Sequence, residues 1–342
     1  MNEIVLDRTL SATTKPARLG FLGVGWIGRH RMEAILASGA GEAVAIADAS
    51  PEMSEEARKL APQAAIASGL EDLLCHDLDG VVIATPSAQH AAQSIQSLQA
   101  GVAVFCQKPL GRDAGEVEAV VTAAEKADRL LGVDLSYRYT QGMQQIRSLL
   151  QNGELGHVHA VDLVFHNAYG PDKEWFYDKS RSGGGCVMDL GIHLADLALW
   201  ALDFPKIEKV TSQLFHQGQR ISSTADQVED FATATIELAS GTVARLTCSW
   251  RLQAGCDAII GASFYGTAGG AEIHNVNGSF YAFKAERFRG TSREILVEPP
   301  EDWGGRAAID WARRLRSGSR FDPSCREYAV TAKAIDRIYQ AA

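Results

Sequence analysis

The chain has 342 residues, 46% of them apolar, and 33 Lys and Arg against 42 Asp and Glu leave a formal net charge of −9. At roughly 150 residues per domain this is chain enough for about two domains with real cores, and the composition excludes a disordered, collagenous or coiled-coil protein. An acidic balance without a block of Lys and Arg argues against nucleic-acid and membrane partners, which attract through positive charge, and points to a small molecule. From Arg18 to about Tyr139 short apolar runs alternate with helical stretches. Strands are expected at Leu19–Leu22, Ala43–Ala47, Val81–Ala84, Val102–Cys106 and Leu131–Leu135. A helix is expected over Ala114–Ala127, with Asp113 as N-cap and Glu116 three residues on. Strands and helices in alternation build a parallel sheet covered by helices, an α/β fold.

Beyond Thr140 the texture changes. One amphipathic helix, Gln141–Leu150, closes at Asn152-Gly153 and is followed by strand-like runs at His157–Phe165, Lys209–Phe215, Phe231–Leu238 and Thr242–Trp250. The last two, split by Ala239-Ser240-Gly241, read as a hairpin, so a mainly antiparallel sheet is expected here. Helices near Trp303–Arg316 and Ser324–Gln340 end the chain. The expected division is a tail over residues 1–17, a nucleotide-binding domain over 18–139 and a second domain over 140–342. Six cysteines without a Cys-x-x-Cys pair read as reduced thiols of a cytoplasmic protein. Met1 to Pro16 lacks the apolar stretch of a signal peptide, and no run approaches the ~18 apolar residues of a membrane span.

The first strand runs into Gly23-Val24-Gly25-Trp26-Ile27-Gly28, a G-x-G-x-x-G opening a helix. Gly23 permits the tight turn, Gly25 lets backbone approach a pyrophosphate, and Gly28 allows close helix–strand packing, while the helix start offers N–H groups to phosphate. Glycine turns are common, but here an acid, Asp48, follows 20 residues past Gly28 at the end of the second strand, where a carboxylate meets the adenosine ribose. NAD is favoured over NADP, because a 2′-phosphate would face Asp48 with like charge and Ala49-Ser50-Pro51 supply no cation.

A second constellation follows a glycine-rich stretch, Gly183–Gly185. On a helix, Asp189 and His193 share one face at i, i+4, with Asp196 further along. A carboxylate beside an imidazole orients it and raises its basicity, which suits proton transfer near neutral pH. The same residues also fit a helix start capped by Asp189 with His193 a satisfied, partly buried side chain. Lys108, directly after the Val102–Cys106 run and before Pro109, points into the crevice where parallel sheets bind ligands. Most lysines are simply solvated. Trp175, Phe176 and Tyr177 suit stacking on a sugar ring, though such aromatics are more often buried.

These marks together resemble the glucose-fructose oxidoreductase, inositol dehydrogenase and rhizopine-catabolism (Gfo/Idh/MocA) family. They are GFLGVGWIG at Gly20–Gly28, ATPSAQH at Ala84–His90, QKP at Gln107–Pro109, and GGGCVMDLGIH with a trailing acid at Gly183–Asp196. The resemblance implies an N-terminal Rossmann domain, a C-terminal α/β domain with a large open sheet, a homodimer or homotetramer, and NAD(P)-linked oxidation or reduction of a sugar, polyol or related alcohol. By motif, Gly23, Gly25, Trp26, Ile27 and Gly28 would hold the pyrophosphate and Asp48 the ribose, with Thr85, Pro86, His90 and Gln107 lining the cofactor groove. Lys108 and His193 would share the substrate hydroxyl beside Asp189, and Tyr137 and Arg138 would contact substrate. The expected mechanism makes His193, oriented by Asp189, the general base, with Lys108 stabilising developing alkoxide. Gln107 replaces the family's usual Glu; it can still hydrogen-bond a ribose, yet it removes a negative charge next to Lys108. Two rivals share the fold: an enzyme with tightly held NAD running an internal redox cycle, and a non-catalytic NAD-binding regulator. A metal site is not expected, since His157 and His159 read as one face of a strand and no ligand cluster appears.

Overall fold

The computed structural model describes residues 15–222 and 227–342. The expected tail therefore lies outside the described residues up to position 14. Its last residue, Ala17, is already the buried start of the first strand.

Six parallel strands form the first sheet: β1 (Ala17–Leu22), β2 (Gly41–Ala47), β3 (Ala65–Ile66), β4 (Gly80–Ile83), β5 (Ala103–Cys106) and β6 (Leu131–Val133). Their order is β3-β2-β1-β4-β5-β6. β4 and β5 are buried at every position, as continuous apolar runs must be when helices cover both faces. The helices are α1 (Trp26–Ala37), α2 (Pro51–Arg58), α3 (Leu70–Leu73), α4 (Ser87–Gln99) and α5 (Ala114–Ala127). Asp113 caps α5 as expected, accepting from the Glu116 N–H at 2.8 Å, and the Glu116 carboxylate reaches back to the Arg112 N–H at 2.7 Å. The chain leaves β1 toward one edge and β4 toward the other. This reversal opens a crevice at the carboxyl ends of those two strands, the place where open α/β sheets take ligands.

After α6 (Gln141–Gln151), capped by Thr140, a second sheet has nine strands: β7 (Val158–Asn167), β8 (Ile207–His216), β9 (Gln219–Ile221), β10 (Phe231–Leu238), β11 (Val243–Ser249), β12 (Ala258–Gly266), β13 (Gly270–Asn275), β14 (Phe283–Arg289) and β15 (Ser292–Val297). Their order is β15-β14-β13-β12-β7-β11-β10-β8-β9. All pairs are antiparallel except β7 with β11. The hairpin β10–β11 forms as expected, Gly241 taking the left-handed φ of +85° at its turn. Strands β12 to β15 were not anticipated; their alternation is broken by glycines and charges.

The helices α7 (Lys179–Ser182), α8 (Ile192–Ala201), α9 (Arg306–Arg316) and α10 (Arg326–Gln340) complete the fold. α8 is buried along its whole length, which makes it the core of the second domain. α9 instead returns to the first sheet: Trp311 packs on Phe105, with ring centroids 5.7 Å apart, and fills the space left by Gly80 and Gly132. Among the described residues no helix is long and apolar enough to cross a membrane.

Candidate active site

A cleft of about 1180 Å³ runs along the carboxyl ends of β1, β4 and β5 and under the second domain. At one end lies the glycine turn. Gly23 has φ of +80°, and a Cβ on Gly28 would stand 2.0 Å from the Gly23 carbonyl oxygen, so both positions need glycine for the turn itself. Gly25 differs, because a Cβ there would meet nothing within 4 Å; the protein's own packing gives no reason for glycine there, whereas a group approaching the backbone would. α1 begins at Trp26 with no side chain capping it, so its first N–H groups are available to an anion. Trp26, 64% exposed, and Ile27 border the cleft. Asp48 accepts from the Val24 N–H at 2.7 Å on one oxygen and from the Ser50 N–H at 2.8 Å on the other. It therefore braces the glycine turn and the next turn while keeping lone pairs for a ligand. This arrangement fits a dinucleotide.

Thr85 and Pro86, after β4, line the same groove, the Thr85 hydroxyl donating to Gln93 at 2.6 Å. His90 borders the groove but is fully buried, its two ring nitrogens facing the carbonyl oxygens of Pro109 at 2.7 Å and Thr85 at 2.6 Å. The ring thereby ties the Thr85 loop to the Lys108 loop. Burial lowers its pKa, against the pull of the two carbonyls.

At the other end of the cleft Lys108 donates to the Asp189 carboxylate at 2.6 Å and to the Asp189 carbonyl at 2.7 Å. Asp189 lies in a π turn, Val187–Gly191, leading into α8. Such turns are uncommon and recur at functional sites. Its other carboxylate oxygen accepts from the Trp250 indole at 3.0 Å. The expectation that Asp189 orients His193 is thus corrected: the Asp189 carboxylate is bonded by Lys108 and Trp250, and among the described residues no hydrogen bond joins it to His193. The missing charge at Gln107 is likewise offset, since Lys108 gains a carboxylate from across the cleft.

His193, 8% exposed, borders the cleft beneath the rings of Tyr137, with centroids 5.0 Å apart, and Phe165, at 6.4 Å. Neither ring nitrogen has a hydrogen-bond partner among the described residues. Burial, then the nearby Lys108 and Arg31 charges, hold its pKa well below the ordinary imidazole value. Tyr137 lines the cleft. Arg138 does not. Its guanidinium turns into the second domain, gripping Asp196 at 2.7 and 2.6 Å and lying over the Trp200 and Phe204 rings. A buried carboxylate outcompetes the cleft for this side chain, because Asp196 left alone there would be a costly unpaired charge.

Several site residues escaped the sequence reading. Glu229, fully buried, accepts from the Gly185 and Val187 N–H groups and from the Tyr339 hydroxyl, clamping the glycine-rich entry to the π turn. Arg31, Asp134 and Ser136 form a buried polar cluster against Gln107 in the cleft floor. Trp175 and Phe176, by contrast, are among the aromatics that suit stacking on a sugar ring; their rings stack on each other at 3.9 Å and line the cleft. An acid straight after an apolar strand, as in Gly132-Val133-Asp134, is the one available signal, and Asp48 shows the same pattern.

Comparison with known proteins agrees with this architecture. Residues 17–135 match the oxidoreductase family, NAD-binding Rossmann fold, and residues 143–272 match the GFO/IDH/MocA C-terminal domain. D-glucoside 3-dehydrogenase of Escherichia coli (strain K12) is 27% identical over 276 residues, covering 76% of this chain and 78% of the relative. Inositol 2-dehydrogenase of Rhizobium meliloti (strain 1021) is 27% identical over 281 residues, covering 82% and 78%. The solved structure of levoglucosan dehydrogenase in complex with NADH and levoglucosan superposes with a TM-score of 0.81 at 20% identity, over 96% of this chain and 97% of that one. With its NAD-binding Rossmann domain and both family domains matched in order, the chain belongs to the Gfo/Idh/MocA family of oxidoreductases.

Proposed function

We propose that the protein is an NAD-dependent dehydrogenase acting on a secondary alcohol of a sugar or polyol. The observation that carries this reading is the placement of Lys108, held by Asp189 at 2.6 Å, and His193 in one cleft with the glycine turn. Gly23, Gly25, Gly28 and the start of α1 would take the pyrophosphate, Asp48 the adenosine ribose, and Thr85, Pro86 and Gln107 the nicotinamide end. The nicotinamide, when bound, supplies the hydride acceptor or donor. Lys108 has three N–H donors, two of them committed to Asp189. The third is free to hydrogen-bond the substrate oxygen and stabilise alkoxide charge as it develops. His193, held neutral by burial, has a lone pair to take the hydroxyl proton and returns that proton in reduction. Asp189 positions Lys108. Trp175 and Phe176 offer an apolar wall for a sugar face, in line with the sugar and inositol dehydrogenases among the relatives. Asp48 favours NAD, since a 2′-phosphate would meet its carboxylate.

The test is to follow NADH formation with NAD or NADP over a panel of inositols, aldoses, sugar acids and amino sugars. Steady turnover on one class with NAD, poorer with NADP and abolished in Lys108→Ala, is expected. No turnover across the panel, from protein that binds NADH, would overturn the reading in favour of an internal redox cycle or a regulator.

A further inference from the structure

Gln107 closes β5 next to Lys108, almost fully buried yet bordering the cleft. Its amide nitrogen donates to Asp134 Oδ2. A carboxylate only accepts, so the amide cannot be turned round without setting oxygen against oxygen. Asp134, at the end of the neighbouring strand β6, has no exposed side-chain surface. Arg31 of α1 donates to the same Oδ2 at 2.6 Å, and the Ser136 hydroxyl donates to Oδ1 at 2.5 Å. Arg31 also donates to Ser136 at 3.2 Å and abuts His30 Nδ1 at 2.9 Å. Three chain segments thus close on one carboxylate, 103 and 27 residues from its partners. The amide oxygen of Gln107 remains, without a partner among the described residues.

We propose that the buried Arg31–Asp134 pair is a positioning element for the cofactor, locking the Gln107 amide so that an uncharged acceptor faces the nicotinamide end of the cleft. The proposal rests on the dehydrogenase reading only in assigning the cleft to the dinucleotide. Gln107 and Asp134 form a matched set, one amide and one acid. The single negative charge stands one strand away from Lys108 and is neutralised by Arg31. A buried ion pair is weak evidence of stabilisation, but it holds one geometry well once its remaining hydrogen bonds are met. Here the Gln107 amide meets one of them.

The matched set is tested by breaking it and by exchanging its members. Gln107→Glu places two carboxylates in contact at a buried site, where one must keep a proton. The other charged and titratable groups around them are Arg31 and His30 from α1, the buried Cys106 thiol on β5, Lys108 on the same loop, Tyr137 beyond β6, and Asp189 and His193 from the second domain. As pH rises the shared proton is lost, and repulsion drives the position 107 side chain out of place. NADH affinity, read on the full chain by fluorescence, is therefore expected to be near normal in mild acid and to weaken by about tenfold or more in mild alkali. Gln107→Glu with Asp134→Asn moves the acid to position 107, takes away Arg31's counter-charge and sets a charged acceptor at the cofactor end, so the pH dependence is expected to vanish while NADH affinity stays below wild type at every pH. Gln107→Leu keeps the Arg31–Asp134 pair whole; its thermal midpoint is expected to hold while NADH binding weakens at every pH. This third variant decides the matter if the double variant fails to fold. Wild-type, pH-independent NADH affinity in Gln107→Glu, wild-type affinity in a folded double variant, or unchanged NADH affinity in Gln107→Leu would each overturn the proposal. None of these readouts needs a substrate, so they remain decisive even if the sugar panel gives no turnover.

Discussion

On the cofactor side of the cleft a handful of consecutive residues, Gly23 to Gly28, shape a backbone surface, with Asp48 as its brace. On the reacting side, Lys108 and Asp189 meet across 81 positions of chain, and Trp250 comes from 61 positions further on. A binding surface made of main-chain N–H groups is written into a local turn, because glycine conformation and helix starts are local properties. A reacting centre made of side chains is held by whatever partners the tertiary fold supplies, and here those partners are buried charges and rings.

That contrast can be broken at several points. The largest effect is expected at His193. Replacing it with Ala should lower turnover by ~10² to 10⁴ while leaving NADH affinity in place, as removal of a general acid–base does. Steady-state kinetics beside a NADH titration checks this, and full activity would remove His193 from the chemistry. In the wild-type protein the same assignment puts the acid limb of kcat/KM for alcohol oxidation below the ordinary imidazole value of 6.5, because burial depresses the free enzyme's His193. The base is then neutral, and active, above that limb.

A stability effect of similar size is expected away from the cleft. Arg138→Met strips Asp196 of its partner in the second domain core, which should cost about 3–5 kcal/mol in urea unfolding, in line with other broken buried pairs. The KM of the protein that remains folded should not change. A raised KM with unchanged stability would return Arg138 to the substrate.

The smallest effect sharpens the cofactor side. Gly25→Ala should leave the thermal midpoint where it is, since its Cβ has open space, yet weaken NADH binding by on the order of tenfold, about 1.4 kcal/mol. Gly28→Ala, whose Cβ would strike the Gly23 carbonyl, should instead lower the melting temperature and the affinity together. Equal behaviour of the two variants would deny Gly25 a ligand role.

Much of the first domain is legible in the amino-acid sequence. Its central strands β4 and β5 are buried on both faces, so they stand out as apolar runs, and α5 starts and ends where its cap and pattern predict. The β12 to β15 half of the second sheet is not legible in the same way. Strands such as Phe283–Arg289 and Ser292–Val297 are interleaved with charges, and their partners come from the sheet rather than from neighbouring residues.

The sequence by itself determined the Rossmann turn, the acid at its proper distance, and which residues carry reactive groups, because each depends on local conformation or on side-chain identity. Only the tertiary structure decided how those groups are paired. Lys108 rather than His193 receives Asp189, Arg138 goes to Asp196, and Asp134 holds both Arg31 and Gln107. The reason is that a buried charge must find its counter-charge in three dimensions, and which one lies within reach is set by how the two sheets and α8 pack.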